Sequence, residues 1–511
     1  RLFFDGQRRP PVAAGAILTI LPGVKIIPQG GNYTALEIQG TLNAIATSGA
    51  PIIFTSIADA DNATSTTPQK GEWLNIAFNP GSQGNFDYIE FRYGGQGLER
   101  PLKEMVKAIG ATININHSKF ENSQSIALRL VDSNGTVENS TFSDNACGIS
   151  VDSLILPSSG TDGGCASNVY SFYSAAVATT TPQIRNNQFI RNRLIAIETR
   201  NGATPIIESN IFTDNGYPVR IESSYPVIIN SQIANSTTSP DVLNGIAISG
   251  RTHFSKNYTL KKDLPYILET DGPALSPYID SGATLTIEAG TVLKPSHTYS
   301  ALNVNGVLIA SSTPDNPIVF TSFKDDARGG DTNGDGSASS PQDNDWANIK
   351  FLTGSIGSFT NTIFNYAGYG FIPYNLPSTN TLAKDFPAVD MSINNLNATS
   401  SQWMTNSRNA FNKIIVHKFS VVNPQNFNYK IGIRDFRNDF IAATELPNLQ
   451  NVSDLELAVS VAGQFTIGEK YYVTIQVIRS DGTVANETGS FSVGQDVAGM
   501  AAVAFYELVP G

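Results

Sequence analysis

The sequence predicts an all-β chain: a right-handed parallel β-helix followed by a small antiparallel β-sandwich-like domain. Three observations predict it. Two stretches repeat each other at a nearly constant offset, short apolar runs recur every 22–23 residues between them, and helical periodicity is almost absent. The runs are rich in Ile, Val, Phe, Tyr and Thr and are separated by Gly, Asn, Pro and Asp, as strands and turns are.

In chain order, residues 1–98 read as a first β-helix module. It carries GAILTILPGVKIIP, ALEIQGTLNAIATSGAPIIFTS and GEWLNIAF. Its N-terminus, RLFFDGQRRPP, has no continuous apolar core and lacks the lead-in seen before the second module, so a processed or truncated start is expected.

Residues 99–250 read as central coils. INHSKFENS, VENSTFSDNACGISV, IRNNQFIRNRLIAIE and IIESNIFTDNGYPVRIE share one pattern of strand, Asn-containing turn, Phe, second Asn and strand. Phe120 to Phe142 is 22 residues; Phe189 to Phe212 and Asn192 to Asn215 are 23. One coil of three short strands has this length, and parallel pairing sets each residue over its counterpart at about 4.8 Å. Phe is expected to stack on Phe. Asn is expected at the bends, in left-handed geometry and in side-chain ladders. The register breaks over 143–180, so Leu154–Thr180 reads as a loop carrying Cys165.

Residues 251–371 read as the second module, with GATLTIEAGTVLKP, ALNVNGVLIASSTPDNPIVFTS and NDWANIKF. Gly15 answers Gly282, Gly23 answers Gly290, Gly40 answers Gly306 and Trp73 answers Trp346; both tryptophans are expected in the core. The offset grows before Trp346 because an acidic insertion, KDDARGGDTNGDGSASSPQDNDW, precedes it. Residues 372–511 alternate like antiparallel strands joined by turns such as Ser480-Asp481-Gly482.

The second module's segments, with the lead-in KDLPY at Lys262–Tyr266, resemble a module of bacterial exported surface proteins with the pectin-lyase-like β-helix fold. The resemblance covers roughly residues 12–370. It implies the fold and an extracellular, cell-surface setting; it does not imply an activity.

The bulk numbers narrow the partners. A net charge of −11 argues against nucleic acid and anionic lipid, and no apolar run is long enough to span a membrane. At 15% charged and 41% apolar residues the chain is no disordered acidic tail. Its two cysteines, Cys147 and Cys165, have no metal spacing around them; free thiols are the alternative, but in an exported chain a disulfide between them is expected.

Asp331-Thr-Asn333-Gly-Asp335-Gly336 has the calcium-loop spacing of alternating hard oxygen donors with a glycine at the bend. No Glu closes the loop and no helices flank it, so the expected Ca²⁺ ligands are Asp331, Asn333, Asp335 and Ser337, with Asp343 or Asp345 closing the set. No catalytic residue is assigned. The central arginines Arg185, Arg191, Arg193, Arg200 and Arg220, with Glu198, Glu208 and Glu222, read as charges alternating on a solvated sheet face. The expectation is a non-enzymatic structural rod that self-assembles into a layer, filament or adhesin. The alternative is a carbohydrate-binding or polysaccharide-degrading protein, with glycan the possible partner and Tyr170, Phe172, Tyr173, Tyr217 and Tyr225 as candidate stacking aromatics.

Overall fold

The computed structural model is all-β, with one helical turn at Ile57–Ala60 among the described residues. It describes residues 2–367, except 5–10, 29–35, 61–66, 97–103, 154–179, 236–240, 271–274 and four gaps of two or three residues; beyond 367 it describes strand segments alone. The chain divides into two units, Arg1–Ala247 with Asn333–Gly336, and Ile248–Thr332 with Ser337–Gly511.

The first unit is a right-handed parallel β-helix. Successive strands join successive sheets, so each strand pairs with the third strand before it and the third after it. The first sheet runs through Ile52–Phe54, Ile89–Arg92, Lys119–Glu121, Thr141–Ser143, Gln188–Ile190 and Ile211–Thr213. The second runs through Val106–Ile109, Ile126–Val131, Cys147–Asp152, Ile195–Arg200 and Tyr217–Glu222. The third begins at Ile17–Ile20 and continues through Thr41–Ile45, Gln83–Asp87, Thr112–Asn116 and Asn134–Glu138.

Period and register agree. Phe54, Phe91, Phe120, Phe142, Phe189 and Phe212 are paired strand to strand in one column of the first sheet. Their rings follow one another at 5.0, 4.9, 4.6, 5.1 and 5.3 Å, and none is more than 1% exposed. Each buried ring stabilises the coil by roughly 1.5–3 kcal/mol, and each stacked pair adds about 0.5–1.5 kcal/mol.

The asparagines form the expected ladders. Asn145 Nδ2 donates to Asn192 Oδ1 at 3.1 Å, and Asn192 Nδ2 to Asn215 Oδ1 at 2.9 Å. The same amides donate to the carbonyls of Phe120, Phe142 and Phe189. A second ladder links Ser118, Ser140, Asn187 and Asn210. The left-handed geometry, however, does not fall on the ladder residues. It falls one residue earlier, at Asn122, Asp144, Arg191 and Asp214 before the first ladder, and at His117, Asn139, Asn186 and Ser209 before the second. The bend turns the chain at that residue, which leaves the next side chain aimed inward along the stack.

The second unit repeats the module. Thr284–Ile287, Val307–Ser311 and Ile356–Thr360 pair in parallel, as do Tyr278–Ile279, Leu302–Val304 and Ile349–Phe351. Gly40 and Gly306 occupy matching sites for one reason. A Cβ on Gly40 would lie 2.2 Å from the Ala16 carbonyl oxygen, and one on Gly306 would lie 2.3 Å from that of Ala283. The two tryptophans are buried, and each indole N–H donates to a backbone carbonyl further on, Trp73 to Arg92 at 2.7 Å and Trp346 to Asn365 at 2.8 Å.

Past residue 372 the described strands are antiparallel, in line with the sequence. Phe427–Arg434 lies between Phe440–Leu449 and Lys470–Ile478, and Lys470–Ile478 pairs with Val484–Ser492. The turn at Ser480-Asp481-Gly482 lies outside the described residues, as does the expected loop over Leu154–Thr180 apart from Thr180.

Replacing Asn192 by Ala strands the partners of a fully buried amide, and about 1–3 kcal/mol of stability is expected to be lost. Phe142→Ala is expected to cost about 3–5 kcal/mol. Equilibrium urea denaturation of both variants checks the order.

Candidate functional site

Two constellations of charge hold sequence-predicted candidate residues. The first lies in the acidic loop of the second module. Asp326, Asp331 and Asp335 are half-buried, and one carboxylate oxygen of each lies within 4.8 Å of the others. Of the sequence-predicted ligands, the loop therefore gathers Asp331 and Asp335. Asn333 is bound into the same turn, its Nδ2 donating to Asp335 Oδ2 at 2.8 Å. Asp345 is held elsewhere: it accepts from Ser322 Oγ at 2.5 Å, Lys324 Nζ at 2.7 Å and the Gln342 N–H at 2.9 Å. Burial would raise the Asp345 carboxyl, but these hydrogen bonds hold it below the usual carboxylate range. Ser337 is exposed and is not among the three gathered carboxylates, and Asp343 lies outside the described residues.

Asp326 was not among the expected ligands. The calcium-loop spacing is read forward from Asp331, and a carboxylate folded back from five residues earlier has no place in that pattern. Its neighbour Asp325 has a different task. Thr321 Oγ1 donates to Asp325 Oδ2 at 2.5 Å, just as Thr55 Oγ1 donates to Asp59 Oδ2 at 2.7 Å in the first module, which has no acidic insertion. Asp325 is thus part of the module's own turn.

Lys294, fully buried on the strand Val292–Pro295, anchors the loop from below. Its Nζ donates to the carbonyls of Asp325 at 2.8 Å and Gly330 at 2.7 Å. Burial pushes its ammonium down to about 8, against the pull of Asp325, Asp326 and Asp331.

The second constellation is on the central coils, on the second sheet. Register stacks Lys107, Arg129, Ser150, Glu198 and Arg220 in one column and Val131, Asp152, Arg200 and Glu222 in another. The expectation of a solvated face does not hold here. Arg129, Asp152, Glu198, Arg200 and Arg220 are all buried, with Glu198 at 0% exposure. Their charges are matched at short range. Glu198-Thr-Arg200 lies over Arg220-Ile-Glu222, which closes a ring of four charges: Arg220 to Glu198 at 3.4 Å, Arg220 to Glu222 at 3.1 Å, Arg200 to Glu222 at 3.0 Å and Arg200 to Glu198 at 4.0 Å. Arg129 extends the network to Glu104 at 2.7 Å and Asp152 at 3.5 Å. Burial alone would raise the Glu222 carboxyl, but Arg200 and Arg220 together hold it below its ordinary value. Burial likewise opposes the charge on Arg200, and Glu198, Glu222 and Asp152 more than restore it. Arg185 and Arg191 remain on the outside, paired with Glu138 at 2.8 Å and Asp144 at 2.7 Å.

Such a ring is chemically quiet. Each carboxylate is engaged by guanidinium, and the cross-strand pairs tie adjacent coils together. Cys147 begins the strand beneath this network; it is buried and disulfide-bonded, and Cys165 lies outside the described residues. Tyr217 is half-buried against the cluster of Ile126, Cys147 and Ile195, and Tyr225 is buried; Tyr170, Phe172 and Tyr173 lie outside the described residues.

Comparison with known proteins agrees with this architecture. Residues 104–262 match the family model described as a right handed beta helix region, which spans the central coils and their ladders. No curated protein and no solved structure matches the chain.

Glu222→Gln removes one corner of the ring and leaves two buried arginines under-compensated; a loss of about 3–5 kcal/mol at pH 7 is expected. Because the folded carboxyl titrates below the unfolded one, its contribution is present above the ordinary Glu value of about 4.3 and is lost as pH falls through the folded value. The variant's stability should therefore fall less than the wild type's between neutral and acid pH. Urea titrations at several pH values between 7 and 3 measure both effects.

Proposed function

We propose that this chain is an exported, surface-associated structural protein of the pectin-lyase-like β-helix kind, of bacterial origin, and that its coils serve as a stiff, non-catalytic scaffold. The observation that carries the reading is the central charge ring. On the coils where this fold could present carboxylates and arginines to a substrate, Glu198, Arg200, Arg220 and Glu222 are buried and bound to one another. A polysaccharide-cleaving site would need them exposed, with a carboxylate or arginine able to take or give a proton.

Ca²⁺ is the proposed structural ion of the acidic loop. Three carboxylates brought within 4.8 Å of one another repel unless a cation stands among them, and hard oxygen donors suit Ca²⁺. Asp326, Asp331 and Asp335 would hold it, and water could complete a shell of six to eight oxygens. The role is to fix the loop, not to activate a substrate. Assembly of copies into a filament or layer completes the reading.

Electron microscopy of the full-length protein with and without a chelator tests the assembly. Filaments or lattices that loosen on chelation are expected. Cleavage of a polysaccharide in a depolymerisation screen, abolished by Glu198→Gln in a variant that still folds, would overturn the non-catalytic reading.

The ion itself is read out by stability. At a Ca²⁺ concentration near 100 times Kd, the unfolding free energy should rise by about 2.7 kcal/mol. Asp331→Asn should abolish that gain while unfolding as the metal-free wild type does. Calorimetric thermal scans with and without Ca²⁺ measure it.

A further inference from the structure

The two modules are copies, so each serves as a reference for the other. On the third sheet, Thr41–Ile45 and Gln83–Asp87 match Val307–Ser311 and Ile356–Thr360 of the second module. Their inward residues are the same in both copies: Leu42 and Leu308, Ala44 and Ala310, Gly84 and Gly357, Phe86 and Phe359. The outward residues are not. Thr41, Asn43, Gln83 and Asn85 stand where the second module has Val307, Ile309, Ile356 and Ser358. Packing of the coil thus fixes the inward set and leaves the outward set to another demand.

Across four coils that outward set is uniform. Register places Thr41, Gln83, Thr112 and Asn134 in one column and Asn43, Asn85, Asn114 and Thr136 in the next. All eight are polar and uncharged. Gln83, Thr112 and Asn134 are exposed, and the other five are half-buried. The first sheet differs over the same coils, since Glu90 lies beside Lys119 and Arg92 beside Glu121 on its outward side. The charges that border the polar grid are matched, Asp87 with His117 at 3.0 Å and Glu138 with Arg185 at 2.8 Å.

The second column is itself a ladder. Asn85 Nδ2 donates to Asn43 Oδ1 at 2.9 Å, Asn114 Nδ2 to Asn85 Oδ1 at 3.1 Å, and Thr136 Oγ1 to Asn114 Oδ1 at 3.4 Å. All three bonds run the same way along the stack, so the amides share one orientation. An amide nitrogen carries two hydrogens and its oxygen two lone pairs. Asn85 and Asn114 each use one of both in the ladder. One donor and one acceptor per residue are left for a ligand, repeated at the coil spacing of about 4.8 Å.

We propose that this face binds an uncharged, extended polysaccharide, a β-1,4-linked hexose chain that lies along the stack. The grid offers a charged polymer no counter-charge and a protein partner no apolar centre. It suits a sugar hydroxyl, which both donates and accepts. Such a chain advances by nearly one coil spacing per sugar, so successive hydroxyls meet successive amides. The ladder orients those amides before the glycan arrives, which lowers the ordering cost of binding. Gln83, Thr112 and Asn134 flank the chain with further polar contacts. The site binds glycan without cleaving it, and it draws on neither the acidic loop nor self-assembly.

Isothermal titration of the intact protein with cellohexaose and with chitohexaose tests the site. Saturable binding of at least one is expected, tightening from trimer to hexamer as further coils are engaged. Hexagalacturonate, of the same length but charged, should bind at least about tenfold more weakly. Gln83→Ile with Asn85→Ser installs the second module's residues, an outward set that the same inward packing already carries. It should weaken binding by about tenfold, the effect of losing two hydrogen bonds, while thermal unfolding stays cooperative. Absence of binding by both neutral hexamers would overturn the proposal. So would equal binding of hexagalacturonate, or unchanged affinity in the double variant. A ladder that serves stability alone would show itself as a lowered unfolding temperature in the variant with no glycan bound by the wild type, which also sinks the idea.

Discussion

Every side chain in a parallel coil stack lies about one strand spacing, roughly 4.8 Å, from the residue that occupies the same place in the next coil. The rest of the structure follows from that constraint. A residue type survives in a column only if it tolerates a copy of itself, or of its complement, at that distance. Phenylalanine does so by stacking, and six of them run from Phe54 to Phe212. An amide does so because it carries a donor and an acceptor, so Asn145, Asn192 and Asn215 satisfy one another in series. A charge does not, so charged columns must change sign from coil to coil. Asp152, Arg200 and Glu222 do. Lys107 and Arg129 stand in sequence with like charge, and Glu104, in reach of both at 4.0 and 2.7 Å, compensates them.

The same constraint explains why ladder and strain are separated. A left-handed residue turns the chain at each corner, at a cost of roughly 1–2 kcal/mol for a residue with a Cβ. Were the ladder amide itself left-handed, its side chain would not point down the stack. The strained position therefore sits one residue earlier, where the side chain is not buried and can be Arg191, Asp214 or His117 as readily as Asn186. The ladder that follows offsets the strain with buried hydrogen bonds.

These columns were legible in the sequence because they are periodic. Phe120 and Phe142, or Asn192 and Asn215, announce the coil length by their spacing alone. The left-handed positions were misplaced by one residue because Asn suits both the bend and the ladder, and spacing does not say which of Asn186 and Asn187 does which. The burial of Arg129, Glu198 and Arg220 was not legible either. Alternation of apolar and charged residues shows which side chains point outward, but outward is not the same as solvated. At the acidic loop the alternating donors Asp331 and Asp335 could be read from spacing. The inclusion of Asp326 and the diversion of Asp345 to Ser322 and Lys324 depend on how the loop folds back, which spacing does not carry.

The duplication separates what the fold requires from what was added to it. Thr55 with Asp59 and Thr321 with Asp325 make the same bond in both copies, and the two indoles each reach a carbonyl at the same separation along the chain. Those contacts belong to the module. The acidic insertion lies between them: the chain leaves after the Thr–Asp turn and re-enters at the tryptophan, so the coil register on either side is untouched. A loop placed there costs mainly closure entropy, which grows slowly with length. Lys294 lowers that cost by tying the carbonyls of Asp325 and Gly330 to a buried strand. The equivalent strand position in the first module, which lacks the acidic insertion, is Ile27, whose side chain has nothing to donate. An ammonium buried at the expense of its own charge is explained only by the loop above it, which makes Lys294 and the insertion one acquired feature rather than two.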